Sequence, residues 1–261
     1  QFGLDRNLGH RGEARVERAL VTSREQLSYD EAQARIDAAT AAEPLMLLRE
    51  IGLARLAQEV VRGAVSLALP EQQLDRVDGG YKLRFRATQP VEQWNAQISL
   101  LTGIAAAGIM VRGQVGLLRT LPEPTDETVA TLRRAARALR IDWPASMTYA
   151  ERIRSLDPTD PHQGALMHQA ARLFRGAGYV AFDGKVPPQA THSAIASVYA
   201  HVTAPLRRIG DRYANEVVVA LCAGHPVPGN VRSALPALPG ALGRGQQRQG
   251  ALDRAAIDFA E

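Results

Sequence analysis

Apolar and polar positions alternate along this chain in two periods, and together they predict short strands interleaved with amphipathic helices. Phe2-Gly-Leu and residues 13–21 read as two strands around a polar turn at residues 5–12, so the chain begins inside a sheet. Helices are expected next over residues 29–37 and 44–61, the second with Leu47, Ile51, Ala54, Ala57 and Val61 spaced for one face. Asp78-Gly-Gly80 marks a turn into a half-buried strand, where Tyr81, Leu83 and Phe85 alternate with Lys82, Arg84 and Arg86. Trp94, Ile98, Leu101 and Ala105 define a further helix, whose Gly103 and Gly108 permit close packing. Val129, Leu132, Ala136 and Leu139 define another, with Arg133, Arg137 and Arg140 on its solvent side. Residues 163–176 read as helix, 178–188 as loop or edge strand, and about 206–222 as a helix burying Ile209, Tyr213, Val217 and Ala220. Beyond His225-Pro-Val-Pro-Gly the pattern predicts short helices rich in Gly and Gln.

The densest chemistry lies in Tyr199-Ala-His-Val-Thr-Ala-Pro-Leu-Arg-Arg-Ile-Gly-Asp211. Thr203 is placed to cap a helix that Pro205 helps to start, and the free N–H groups of such an end attract anions. Arg207 and Arg208 at that end are unfavourable for the helix dipole unless an acid or anion sits beside them. Asp211, four residues after Arg207, shares its face, so an Arg207–Asp211 ion pair competes with an anion-binding role. Asp157 and Asp160, in Ser155-Leu-Asp-Pro-Thr-Asp-Pro161, form either turn and helix starts or a metal pair, and the Asp-Pro dipeptides favour the first.

The arginine segment resembles the late signature of the RNB catalytic domain of RNase II and RNase R exoribonucleases, Tyr-x-His-x-Thr-Ser-Pro-Ile-Arg-Arg-Tyr-x-Asp-Leu-x-x-His-Arg. Ala204, Ile209 and Asn215-Glu216 depart from it. Other pieces come in the family's order. Leu27-Ser-Tyr-Asp-Glu-Ala-Gln33 resembles Leu-Thr-Tyr-Glu-Glu-Ala-Gln, and Arg62-Gly-Ala-Val-Ser-Leu-Ala-Leu-Pro-Glu71 resembles Arg-Gly-Ala-Ile-Asp...Pro-Glu. Trp94-Asn-Ala-Gln-Ile-Ser-Leu-Leu-Thr-Gly103 sits where the family's Glu-Glu-x-Met helix lies. Leu117-Leu-Arg-Thr-Leu-Pro-Glu-Pro124 matches Arg-x-His-x-x-Pro, with Leu121 in place of histidine, and His192-Ser-Ala-Ile-Ala196 resembles Gly-His-x-Gly-Leu-Ala.

The resemblance implies an α+β fold: a mixed, mostly antiparallel sheet flanked by helices, with residues 1–225 as the catalytic domain and 226–261 as its helical extension. It implies 3′-to-5′ hydrolysis of single-stranded RNA to nucleoside 5′-monophosphates. Arg207 stands at the position of the catalytic arginine that contacts the scissile phosphate. Tyr199, His201, Thr203 and Arg208 stand as RNA contacts, His201 alternatively as a core histidine. Asp253, with Arg254, matches the family's late Glu-Arg, and Tyr29 is a candidate for stacking on a base or for the core.

Composition changes this picture little. Basic residues number 31 against 27 acidic, a mildly positive balance that permits RNA binding. Lys82 and Lys185 are the only lysines; arginine forks suit phosphate, although GC-rich codon usage produces the same bias. The lone Cys222 excludes an internal disulfide framework and fits a reducing, cytoplasmic setting. No apolar run is expected to reach membrane-spanning length, so no membrane partner is expected, and the sequence leaves the oligomeric state open. The family's Mg²⁺ requires an aspartate cluster that these residues do not carry. The expectation is therefore that the ligands lie upstream of Gln1, consistent with a first residue other than Met and a start within a sheet. The alternatives are an RNB-like RNA-binding or regulatory module without a metal site, and a helical interaction domain whose arginine motif is structural.

Overall fold

The computed structural model describes residues 3–4, 10–11, 14–67, 71–77, 80–86 and 88–260. β1 (Gly3–Leu4) pairs antiparallel with β2 (His10–Arg11). Residues 14–28 then run without regular structure, so the strand expected at 13–21 does not form there; Glu13 lies outside the described residues. Among the described residues no strand lies alongside to pair with. Ala14 and Val16 instead press on the main core, Leu20 and Val21 face solvent, and Arg18 pairs with Glu216.

α1 (Tyr29–Asp37) starts as predicted, because Ser28 and Glu31 form a reciprocal capping box. α2 (Glu43–Val61) also forms, but its inward face is not the expected one: Gly52, Arg55 and Glu59 are buried, while Leu47 and Val61 are exposed. Gly52 is needed where it is, since a methyl there would overlap the Trp94 side chain. Glu59 is held inside by Gln97 Nε2 and by the Ser66 hydroxyl at 2.5 Å, so hydrogen bonds outweigh the apolar stripe. β3 (Glu71–Val77), which the pattern does not predict, pairs antiparallel with the expected strand β4 (Gly80–Arg86); Asp78-Gly79 of the turn between them lies outside the described residues. Arg86 leaves the basic strand face to pair with Glu92 at 2.6 Å.

α3 (Pro90–Arg112) is the spine. Its 23 residues are long and apolar enough to cross a membrane, contrary to the expectation of no such run; here Leu101, Ala107 and Met110 are buried in the core. Gly103 packs closely as expected, whereas Gly108 faces open space apart from the Arg112 side chain.

β5 (Val115–Thr120) leads into a lobe of α4 (Asp126–Ala138), α5 (Tyr149–Arg154), α6 (Pro161–Ala170) and a 3-10 turn (Ala171–Phe174). This lobe has its own core of Leu132, Ala136, Ile153, Leu166 and Met167. Arg133 is not on a solvent face: it lies 4.5 Å from the Trp143 ring centroid and donates to the carbonyls of Trp143, Pro144 and Met147. Asp160 caps α6 through the Gln163 N–H, and Asp157 accepts from the N–H and hydroxyl of Thr159, which settles both as turn and cap residues.

β6 (Gly178–Asp183) is a true partner strand, antiparallel to β5. β7 (Thr191–His192) and β8 (Ser197–Val198) pair antiparallel, and Leu121 bridges to His192 in parallel. α7 (Ile209–Cys222), α8 (Gly229–Ala234) and α9 (Leu238–Ala260) close the chain. α7 buries Ala214, Val217 and Val218, while Ile209 remains exposed. The Gly- and Gln-rich end is one long helix rather than several short ones, because Leu238 and Leu242 anchor α9 on the main core beside β6. The whole is α+β, helix-rich with short antiparallel pairs, as expected.

Candidate functional site

Arg119 and Tyr179 are cross-strand partners in the β5–β6 ladder, and this register sets the floor of the site. The Arg119 guanidinium carbon lies 4.6 Å from the Tyr179 ring centroid. The Arg119 N–H donates to the Tyr199 carbonyl at 2.8 Å, laying the 199–202 segment along β5. Tyr199 then crosses α3 at Gly103, where a methyl would overlap its ring and the Ala200 carbonyl. Only glycine allows that approach. Tyr179 Oη lies 2.8 Å from His201 Nδ1, and Tyr199 stands edge-on to His201 and His192 at 5.5 and 6.0 Å.

The next turn is held from beneath by α7. Asp211 Oδ2 accepts from the Ala204 N–H at 2.8 Å, Arg212 Nε donates to the Pro205 carbonyl, and Asn215 Nδ2 donates to the Val202 carbonyl. The Ala204 carbonyl accepts from the N–H groups of Arg207 and Arg208. Helix α7 therefore begins at Ile209 with Arg208 as its cap residue, and Thr203, exposed, caps nothing. The expected helix from 206 is replaced by a tight turn because these bonds use the backbone groups a helix would need.

The ion pair differs from the one expected of a continuous helix. Asp211 Oδ2 receives Arg208 Nη2 at 3.0 Å and Nε at 3.2 Å, so Asp211 belongs to Arg208, not Arg207. Arg207 is exposed, and its guanidinium makes no hydrogen bond or ion pair among the described residues. Asp211 itself is 1% exposed, and its Oδ1 accepts no hydrogen bond among them.

Burial, reinforced by Arg208 and Arg119, pushes the His201 imidazole down to about 3; burial and Arg119 push His192 down to about 4. Burial raises the phenols of Tyr179 and Tyr199. At neutral pH both rings and both phenols are uncharged, so the histidines serve as hydrogen-bonding surfaces and not as proton carriers. Three guanidiniums, Arg119, Arg207 and Arg208, then stand against one carboxylate, Asp211, which pairs with Arg208 alone. Such a surplus suits an oxyanion with several oxygens, above all a phosphodiester.

Arg119 and Tyr179 join the cluster although neither is among the candidate site residues of the sequence. Arg119 falls on the arginine of Arg-x-His-x-x-Pro, but nothing in the sequence marks Tyr179, which only the strand register brings opposite it. Tyr29 is exposed at the start of α1 and accepts from Asn95 Nδ2 at 3.2 Å. Asn95 precedes Gly103 by two turns of α3, about 12 Å along the helix, so Tyr29 is neither core nor joined to the arginine turn. Asp253 and Arg254 are exposed on α9 and make no hydrogen bond to the cluster among the described residues.

The donors gathered here do not fit a Mg²⁺ ion. Guanidiniums repel it, the only carboxylate is engaged by Arg208, and the described residues contain no group of three or more His, Cys, Asp or Glu side chains arranged to hold a metal.

The sequence profile of the RNB domain matches residues 2–224. The chain belongs to the RNB domain family, whose members of known activity are exoribonucleases. It is 29% identical over 238 residues to the exosome complex exonuclease RRP44 homolog A of Arabidopsis thaliana, covering 82% of this chain and 24% of that protein. It is 25% identical over 222 residues to the exosome complex exonuclease dis3 of Schizosaccharomyces pombe, covering 78% and 22%. The chain thus spans about a quarter of the length of these relatives. Among solved structures, Mycoplasma genitalium RNase R in complex with ribose-methylated single-stranded RNA superposes with TM-score 0.72 at 16% identity, over 89% of this chain and 38% of that one. Yeast Ssd1, a pseudonuclease, superposes with TM-score 0.61 at 20% identity, over 82% and 27%.

Proposed function

We propose that this chain is the phosphate-gripping part of an RNB exoribonuclease acting on single-stranded RNA from its 3′ end and releasing nucleoside 5′-monophosphates. The observation that carries the reading is the guanidinium of Arg207, left unpaired among the described residues on a turn whose backbone is tied down by α7. In this role Arg207 meets the scissile phosphate and stabilises the charge that builds on it, and Arg208 and Asp211 hold the turn that presents it. Residues 226–261 act as a helical extension of the same domain. Divalent ions supply the activated water in hydrolysis of this class, and the carboxylates for them lie outside the described residues.

A second reading is favoured by one observation, the lack of a metal-binding carboxylate group among the described residues. It makes the chain an RNA-binding module without hydrolysis, as the likeness to a pseudonuclease suggests. One experiment separates the two. The protein carrying this chain is incubated with 5′-labelled single-stranded RNA in Mg²⁺, and products and binding are measured together. The nuclease reading expects stepwise shortening from the 3′ end, and Arg207→Ala is expected to slow it by about 10²- to 10³-fold with binding much less affected. Binding without shortening supports the silent module, and an Arg207→Ala variant of full activity removes Arg207 from the chemistry.

A further inference from the structure

Arg119 is 9% exposed, yet no carboxylate pairs with it among the described residues. Its guanidinium carries five N–H donors. The side-chain acceptor it reaches is the neutral amide of Gln246, on α9, at 3.4 Å, near the limit of a hydrogen bond. One face is covered by the Tyr179 ring. A buried cation left in this condition is costly, and proteins pair such groups or neutralise them. Three other arginines have nitrogens that are both unpaired and sealed from solvent, Arg55 at Nε, Arg62 at Nη2 and Arg152 at Nε. The unbonded nitrogens of Arg119 are not sealed in this way, so they retain an opening. Tyr179, which supports Arg119 with its ring, also bonds His201 through its hydroxyl, so Arg119 and the arginine turn are joined through one side chain.

We infer that Arg119 is a second phosphate-binding residue of the site, seated on the Tyr179 ring and donating its free N–H groups to a phosphodiester oxygen of bound single-stranded RNA. This rests on the RNA-binding reading above. Gln246 occupies one donor in the absence of RNA, a weak neutral contact that a charged oxygen displaces with gain. Arg119 is a binding residue in this scheme and takes no part in proton transfer.

The test is the salt dependence of RNA affinity, measured by fluorescence anisotropy with a labelled single-stranded oligoribonucleotide. The protein carrying this chain is used with divalent ions chelated, so that nothing is cut. Arg232→Gln, a surface arginine paired with Asp183 at 2.7 Å, serves as the control. Arg119→Gln is expected to weaken binding by about tenfold and to lower the slope of log K against log salt by about 0.7, one phosphate contact on a single strand. Arg119→Lys is expected to keep the slope but lose affinity, because the charge stays while the fork is lost. A purely structural arginine would not separate slope from affinity in this way. Tyr179→Leu, which removes the platform and keeps the charge, carries the test independently should Arg119→Gln fail to fold; weaker binding at unchanged slope is expected. Wild-type affinity and slope in Arg119→Gln, with Arg207→Ala weakened, would overturn the role of Arg119 and leave the RNA reading intact. Wild-type affinity in both Arg119→Lys and Tyr179→Leu would overturn it as well. No RNA binding by the wild-type protein would overturn both.

Discussion

Two arginines in this protein sit on aromatic rings at nearly the same distance and do opposite things. Arg133 lies 4.5 Å from the Trp143 ring centroid and Arg119 lies 4.6 Å from that of Tyr179. Arg133 gives its donors to three backbone carbonyls between residues 143 and 147, tying the loop after α4 to that helix. Arg119 holds a single weak contact to an amide. Stacking alone therefore does not distinguish a structural arginine from a ligand-binding one. What distinguishes them is whether the remaining donors are already used by the fold. The helical lobe commits its cation to its own backbone, while the β5–β6 ledge and the turn above it keep cations in surplus.

The largest effect is expected where Asp211 of α7 anchors the arginine turn. Removing Asp211 by Asp211→Ala strips the partner of Arg208 and the acceptor of the Ala204 N–H. Breaking a buried pair in this way costs about 3–5 kcal/mol. The partly exposed Arg208 side chain places the loss near the lower end, about 3 kcal/mol. Denaturant unfolding checks this, and a loss below about 1 kcal/mol would mean that the turn is held by Arg212 and Asn215 without Asp211.

A smaller effect sharpens the contrast itself. Arg133→Ala is expected to destabilise by about 2 kcal/mol, since charge-assisted hydrogen bonds to several carbonyls are lost, with RNA affinity unchanged. Arg119→Gln is expected to change stability by less than about 1 kcal/mol, because removing an unpaired buried cation also removes its desolvation cost. Chemical denaturation of the two variants side by side decides between these outcomes. Equal destabilisation by both would erase the difference between the regions.

Much of the molecule is legible in the sequence, for reasons visible in particular residues. The capping box at Ser28 and Glu31, the apolar run of α3 and the α4 stripe of Leu132 and Ala136 arise from local periods and caps. The arginine segment is legible as a cluster of cations, because two adjacent arginines and a nearby acid stand out in the sequence. The inward face of α2 is not, since Glu59 is held inside by Gln97 and Ser66 from outside the helix, which no helical period reveals. The partner of Asp211 is hidden for a related reason. Spacing pairs it with Arg207 only if a helix runs through Arg207, but bonds from α7 to Val202, Ala204 and Pro205 fold that stretch into a turn. Tyr179 acquires meaning only from its register opposite Arg119.

A further expected effect is a pH dependence that arises on the ledge. His192 and His201 face Arg119, Arg207, Arg208, Tyr179 and Tyr199, and are held neutral with their folded values at about 4 and about 3. In the unfolded chain both titrate near the ordinary value of about 6.5. As pH falls below that value, the unfolded state takes up protons that the folded state refuses, so stability falls. The contribution is complete above about pH 6.5 and is lost progressively toward the folded values. Between about pH 6.5 and 5 most of this slope belongs to the histidines, because ordinary carboxylates titrate lower. Thermal unfolding across that window is expected to show a falling midpoint in the wild-type protein and a flatter profile in His201→Gln, whose amide keeps a polar partner for the Tyr179 hydroxyl. Arg133→Ala, in the other region, is expected to lower the whole profile without changing its slope. A wild-type slope retained in His201→Gln would mean that this imidazole is not held neutral, and the surplus of positive charge on the ledge would then be larger than the three guanidiniums alone provide.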